Sequence, residues 1–146
     1  MNTKNEVKIE FLSRSANENF SRVAVSAFFA QLDPTVDEIS DIKTAVSEAV
    51  TNCIVHGYKN TMGKIYIILR VLDGNKAYIK IKDKGCGIDD IKKAMEPLFT
   101  TAAEEDRAGL GFAVMQSFMD KVRVTSKKDK GTTVTMVKKL NGRDLS

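Results

Sequence analysis

Glu48 and Asn52 lie four residues apart in a segment whose pattern predicts a helix, so both side chains project from one face. A carboxylate there can accept the proton of an attacking hydroxyl. The carboxamide beside it offers an oxygen to a magnesium ion that keeps most of its waters and bridges substrate phosphates. Three glycine clusters follow in order: Asp83-Lys84-Gly85-Cys86-Gly87, Gly109-Leu110-Gly111 and Gly131-Thr132-Thr133. Each signal has an ordinary alternative. The pair can be two polar residues on a wet helix face, D-x-G-x-G an Asx-type turn, and G-x-G a flexible helix start. In this order within one small chain they read as a nucleotide site, and no G-x-x-x-x-G-K-[ST] competes with that reading.

The proposed parts divide the nucleotide between them. An ionised carboxylate only accepts hydrogen bonds, so Asp83 at the base of a pocket selects the exocyclic amine of adenine over the carbonyl of guanine. Gly85 and Gly87 remove side chains where a base lies against backbone. Gly109 and Gly111, placed ahead of a helix, free backbone amides for phosphates. Arg107 stands where it can meet a terminal phosphate, and the Thr132 hydroxyl can reach the base or be β-branched filler. His56, the only histidine, reads as a helix-end residue.

The elements that must position these groups follow from periodicity. Val7, Ile9 and Phe11 alternate with charged residues as a half-buried strand. Ser15-Ala16-Asn17-Glu18 reads as a capping box opening a helix to about Gln31, with Phe20, Val23, Ala24, Ala27 and Phe28 as its core stripe. A second stripe, Arg22, Val25, Phe29 and Leu32, is open to two readings, a protein interface or packing beneath the loop at Leu32-Asp33-Pro34. On the interface reading Arg22 is the partner-binding residue. Thr35-Val36-Asp37-Glu38 is a second capping box, and its helix runs to about His56 with Gly57 as C-terminal cap. From Lys64 the period becomes two: a strand, the turn Asp73-Gly74-Asn75 and its partner strand, with one face wet. Met95 to Gly109 has no sustained period and reads as a lid; a helix with Phe112, Met115 and Met119 follows. Val122 to Thr125 and Thr132 to Val137 form a second hairpin, and Asn141 to Ser146 a frayed tail. The fold class is α+β, a two-layer sandwich with a mostly antiparallel sheet and helices on one face.

The 146 residues fit one domain, 1–146, with 42% hydrophobic and 29% charged residues. The apolar runs are too short for a membrane span and the N-terminus lacks a signal-peptide core, so the expected location is the cytoplasm. Cys53 and Cys86 fit no zinc or redox spacing. The net charge of +4 is spread along the chain, which argues against direct nucleic-acid binding.

With the run Ser47-Glu48-Ala49-Val50-Thr51-Asn52-Cys53-Ile54-Val55-His56-Gly57-Tyr58 and the glycine pairs in view, the chain resembles the gyrase, heat-shock chaperone, histidine-kinase and MutL ATPase superfamily. Within it the similarity is to the small anti-sigma factor serine kinases of spore-forming bacteria. It rests also on Phe20-Ser21-Arg22-Val23, Gln31 to Thr35, Pro97-Leu98-Phe99-Thr100-Thr101, Phe118-Met119-Asp120 and Lys130 to Thr133, and covers about residues 7 to 138. The resemblance implies a Bergerat-type ATP fold that works as a homodimer. It implies a protein serine/threonine kinase that uses Mg-ATP to phosphorylate an anti-anti-sigma protein and sequesters a sporulation sigma factor of the sigma F type. It makes Glu48 the base, Asn52 the magnesium ligand, Asp83 the adenine reader and Arg107 a phosphate contact in the lid, and it puts Thr100 and Thr101 among the nucleotide-binding residues. Two alternatives stand beside it: a sigma-binding module that ATP organises without transfer, and a histidine-kinase catalytic domain. The first is disfavoured because a pure binder needs no base at Glu48, the second because no helical segment bearing a phospho-accepting histidine fits.

Overall fold

The computed structural model describes residues 2–59, 61–88, 91 and 104–142, with 104–109 described by backbone alone. Five strands form one antiparallel sheet in the order β1-β2-β3-β5-β4: β1 (Thr3–Leu12), β2 (Lys64–Leu72), β3 (Lys76–Asp83), β4 (Lys121–Lys127) and β5 (Gly131–Lys139). The helices are α1 (Ala16–Phe29), extended by a 3-10 turn over Ala30–Leu32, α2 (Val36–Asn52) and α3 (Glu104–Phe118). A π turn, Cys53–Gly57, continues α2. The α+β two-layer architecture with a mostly antiparallel sheet matches the sequence reading.

Strand alternation decides which sheet face is covered. Ile9, Ile67, Ile81, Val134 and Val124 stand in one register row across all five strands. Ile67 and Ile81 are fully buried, while Lys80 and Lys82 point to the wet face. Against the dry face α2 lies between α1 and α3 and supplies Ile42, Val46, Ala49 and Val50 to the core. Phe112 and Met115 of α3 complete it with Met119 just beyond the helix, so both methionines are packing residues.

Helix α1 corrects the sequence reading. Val25, Phe29 and Leu32 are fully buried, whereas Phe20 and Val23 of the expected core stripe are 50% and 58% exposed. The two apolar stripes are about one residue's rotation apart on a 3.6-residue helix. The one carrying Ser21, Val25 and Phe29 faces the interior. Phe20 instead meets Phe11 of β1 edge to face, with ring centroids 6.1 Å apart. The two capping boxes also part company. Thr35 Oγ1 accepts the Glu38 amide at 3.1 Å and Glu38 accepts the Thr35 amide at 2.9 Å. Ser15 makes no side-chain cap, because its backbone is already helical at φ −57° and ψ −33°, where an Ncap residue ordinarily stays extended.

Candidate active site

The last two turns of α2 bring Glu48 and Asn52 together, both partly buried. Gly111 of α3 lies directly opposite. A Cβ there would stand 3.0 Å from Asn52 Nδ2 and 3.2 Å from Glu48 Oε2, so only glycine lets α3 close on the pair without pushing it. Asn52 Nδ2 is buried with no hydrogen-bond partner among the described residues. A buried amide left this way costs free energy, and a polar ligand in the space beside it would recover that cost. The orphaned N–H donor fits a phosphate oxygen, and the oxygen of the same amide is the atom that could hold a hydrated magnesium ion.

Burial and a second carboxylate both act on Glu48. Burial raises its carboxyl above the usual carboxylate range, and the negative charge of Glu18 raises it further. Glu18 is itself held by the Ser47 hydroxyl and by Arg22, whose Nε lies 3.2 Å from Glu18 Oε1. Arg22 also donates from Nη2 to Asn19 Oδ1 at 3.1 Å. Arg22 thus pairs with Glu18 and Asn19 on α1, while Val25 and Phe29 of the same stripe are core.

The second half of the site is assembled by the π turn. Its closing bond, Tyr58 N–H to the Cys53 carbonyl at 2.9 Å, turns Cys53 and Gly57 toward the end of β3. There Asp83 is only 3% exposed and receives the Gly85 amide on Oδ1 at 2.9 Å. Burial raises the Asp83 carboxyl, and the hydrogen bond from Gly85 partly offsets that rise. Gly57 is not the left-handed cap expected from sequence, since the π turn runs through it to Tyr58. Its missing side chain makes room for Asp83: a Cβ at Gly57 would meet Asp83 Oδ2 at 2.8 Å. Tyr58 braces the same corner, donating to the Lys64 carbonyl and accepting the Lys84 amide.

Gly85 and Gly87 neighbour backbone in this structure, Gly57 O and Lys127 O respectively. Thr132 stands opposite Asp83 in the β3–β5 register, and its hydroxyl bonds Ser126 at 2.8 Å. Gly109 and Gly111 correct the expectation of a loop ahead of a helix. The helix begins at Glu104, so both lie inside α3 and their amides are not a free helix terminus. The second half of the expected lid is therefore helical from Glu104. Thr100 and Thr101 fall outside the described residues, as does the Arg107 side chain.

Sequence reasoning missed Glu18, Ser47 and Gly57. Glu18 is 29 residues from Ser47, and nothing local announces that α1 and α2 pack so as to join them. Gly57 was visible but assigned to a cap, because a glycine ending a helical pattern is usually one.

Comparison with known proteins gives the family of the chain. A family model described as a histidine kinase-like ATPase domain matches residues 14–138. An anti-sigma F factor of Thermoanaerobacter pseudethanolicus is 59% identical over 138 residues, covering 94% of this chain and 96% of the relative. One from Clostridium perfringens is 52% identical over 137 residues, covering 94% and 98%. Among solved structures, the RsbU and RsbW domains of a Mycobacterium tuberculosis protein superpose with a TM-score of 0.69 at 18% identity, covering 98% of this chain and 35% of that one. A mycobacterial sensor histidine kinase gives 0.54 at 23% identity, covering 73% and 74%. The chain belongs to the histidine kinase-like ATPase domain family and, within it, to the anti-sigma F factors.

Proposed function

We propose that this protein binds and inhibits a sporulation sigma factor of the sigma F type and uses Mg-ATP to phosphorylate a serine on its anti-anti-sigma antagonist. The observation that carries the kinase half is the Glu48–Asn52 pair under Gly111, a carboxylate with a raised proton affinity beside an orphaned amide. A pure binding module has no use for that combination. In the transfer, the acceptor serine oxygen forms a bond to the γ-phosphorus while the bridging bond to ADP breaks, and Glu48 takes the serine proton. Asn52 holds the magnesium ion, which neutralises phosphate charge when bound. Asp83 accepts from the adenine amine, with Gly85, Gly87 and Thr132 around the base. Thr100, Thr101, Arg107, Gly109 and Gly111 belong to the phosphate side.

The work is done by a homodimer in the cytoplasm, each copy a single ATP-binding kinase domain. The edge strand β1 carries the exposed apolar residues Val7 and Leu12, Phe20 of α1 packs half exposed against its Phe11, and Val23 of α1 is exposed as well. An unpaired edge flanked by such a patch is a surface for a second copy. Arg22, on the same helix, contacts the partner protein. The kinase half is tested with radiolabelled ATP, magnesium and the anti-anti-sigma protein, followed by phosphoamino-acid analysis. Phosphoserine is the expected product. Nucleotide binding without any label transfer would leave a sigma-binding module that ATP only organises.

A further inference from the structure

The positive charge that is spread along the sequence is gathered in space on the wet face of the sheet. Across β3, β5 and β4 two register rows run Lys80–Thr135–Arg123 and Lys82–Thr133–Thr125. Lys121 stands on the same face of β4, two residues before Arg123. Neighbouring strands lie about 4.8 Å apart, so β5 is a threonine floor between a basic rail on β3 and another on β4, the rails roughly 10 Å from each other. No aspartate or glutamate stands between or on these rails among the described residues. On β1 and β2 the cations are answered: Lys64 by Glu10 at 3.6 Å, and Arg70 and Lys8 by Glu6. Lys80, Lys82, Lys121 and Arg123 have no ion-pair partner among the described residues, and all but Lys80 are exposed.

We propose that this face docks an extended acidic segment of a partner protein, laid along β5 with its carboxylates between the two rails. Lysine and arginine supply the charge, and the Thr133 and Thr135 hydroxyls can donate to the same carboxylates. A second copy of this chain does not suit the face, because like charges would meet across it. A nucleic-acid strand suits it less than a peptide. Single-strand binders stack bases on open aromatic rings, and the two rings of this face are already covered by cations. Arg70 lies over Tyr78 and Lys84 over Tyr66, each 5.0 Å from the ring centroid. The helix carrying Glu48 and Asn52 packs on the opposite side of the sheet, so the docked segment leaves that site open.

The test measures fluorescence anisotropy of a labelled oligoglutamate peptide and of an oligothymidylate of equal net charge, at physiological salt. The peptide should bind the more tightly of the two. Lys80→Glu combined with Arg123→Glu should weaken the peptide by about tenfold or more. Arg14→Glu combined with Lys43→Glu changes the net charge equally but lies off this face, and should leave affinity within about twofold, because separated surface charges are screened. Equal losses in the two double variants would show that net charge, and not this face, attracts the peptide, and would overturn the proposal. Absence of peptide binding to the wild type overturns it too. Tighter binding of the oligothymidylate would replace it with a nucleic-acid surface. Thermal melts report whether each variant folds. Should the charge reversal unfold the protein, Lys80→Gln with Arg123→Gln removes the same two charges and is read in the same way.

Discussion

The chemistry of Glu48 is set by neighbours that lie far from it in sequence. With Glu48 as the base proposed above, transfer needs its carboxylate ionised, so the rate should be present above its raised pKa and be lost as pH falls through it. Glu18 contributes to that raised value, second to burial. Glu18→Gln removes the repelling charge, returns Glu48 toward the ordinary carboxylate range and should move the acid limb of the kcat profile to lower pH. A limb that does not move would take Glu18 out of the electrostatics of the site. At this scale much was legible. The i, i+4 spacing of Glu48 and Asn52 fixes their shared face whatever the tertiary fold, and D-x-G-x-G marks Asp83 as a carboxylate at a strand end. Contacts between distant segments were not legible: neither Gly57 against Asp83 nor Ser47 against Glu18 has any local signature.

Elements were legible where a single period dominates and where a cap has its full chemistry. The β2–β3 hairpin follows from strict alternation around Asp73-Gly74-Asn75, where Gly74 and Asn75 adopt φ +79° and +60°. Thr35 and Glu38 form both bonds of their box, so Thr35→Ala should cost about 1 kcal/mol of stability. Ser15→Ala should cost much less, because Ser15 makes no cap bond. Urea denaturation of the two variants compares them directly, and equal losses would contradict the capping assignment. The face of α1 was read the wrong way round for a physical reason. Both stripes are apolar enough to bury, and only the packing of α1 on α2 and the sheet chooses Val25 and Phe29 over Phe20 and Val23. The glycines of α3 misled similarly: Gly111 reads as lying ahead of a helix, yet it sits within one and its small volume is what lets α3 pack on Glu48 and Asn52.

For the whole molecule, the sheet's wet face, the covered face and the β1 edge divide the surface into parts with different fates. If Phe20 and Val23 meet a second copy, Phe20→Glu combined with Val23→Glu should shift the protein to monomer in sedimentation, with secondary structure kept, since neither side chain is buried in the core. A dimer that survives both charges would place the interface elsewhere. No helix among the described residues is long and apolar enough to cross a membrane. The central claim is that one nucleotide site, built on the end of α2, performs phosphoryl transfer with Glu48 as base. Glu48→Gln keeps the shape and removes the base. It is best examined by measuring ATP affinity and the single-turnover rate of phosphate transfer to the anti-anti-sigma protein on the same preparation. The account predicts near-normal ATP binding with transfer slowed about 10²–10⁴-fold. Transfer at the wild-type rate by that variant would contradict it.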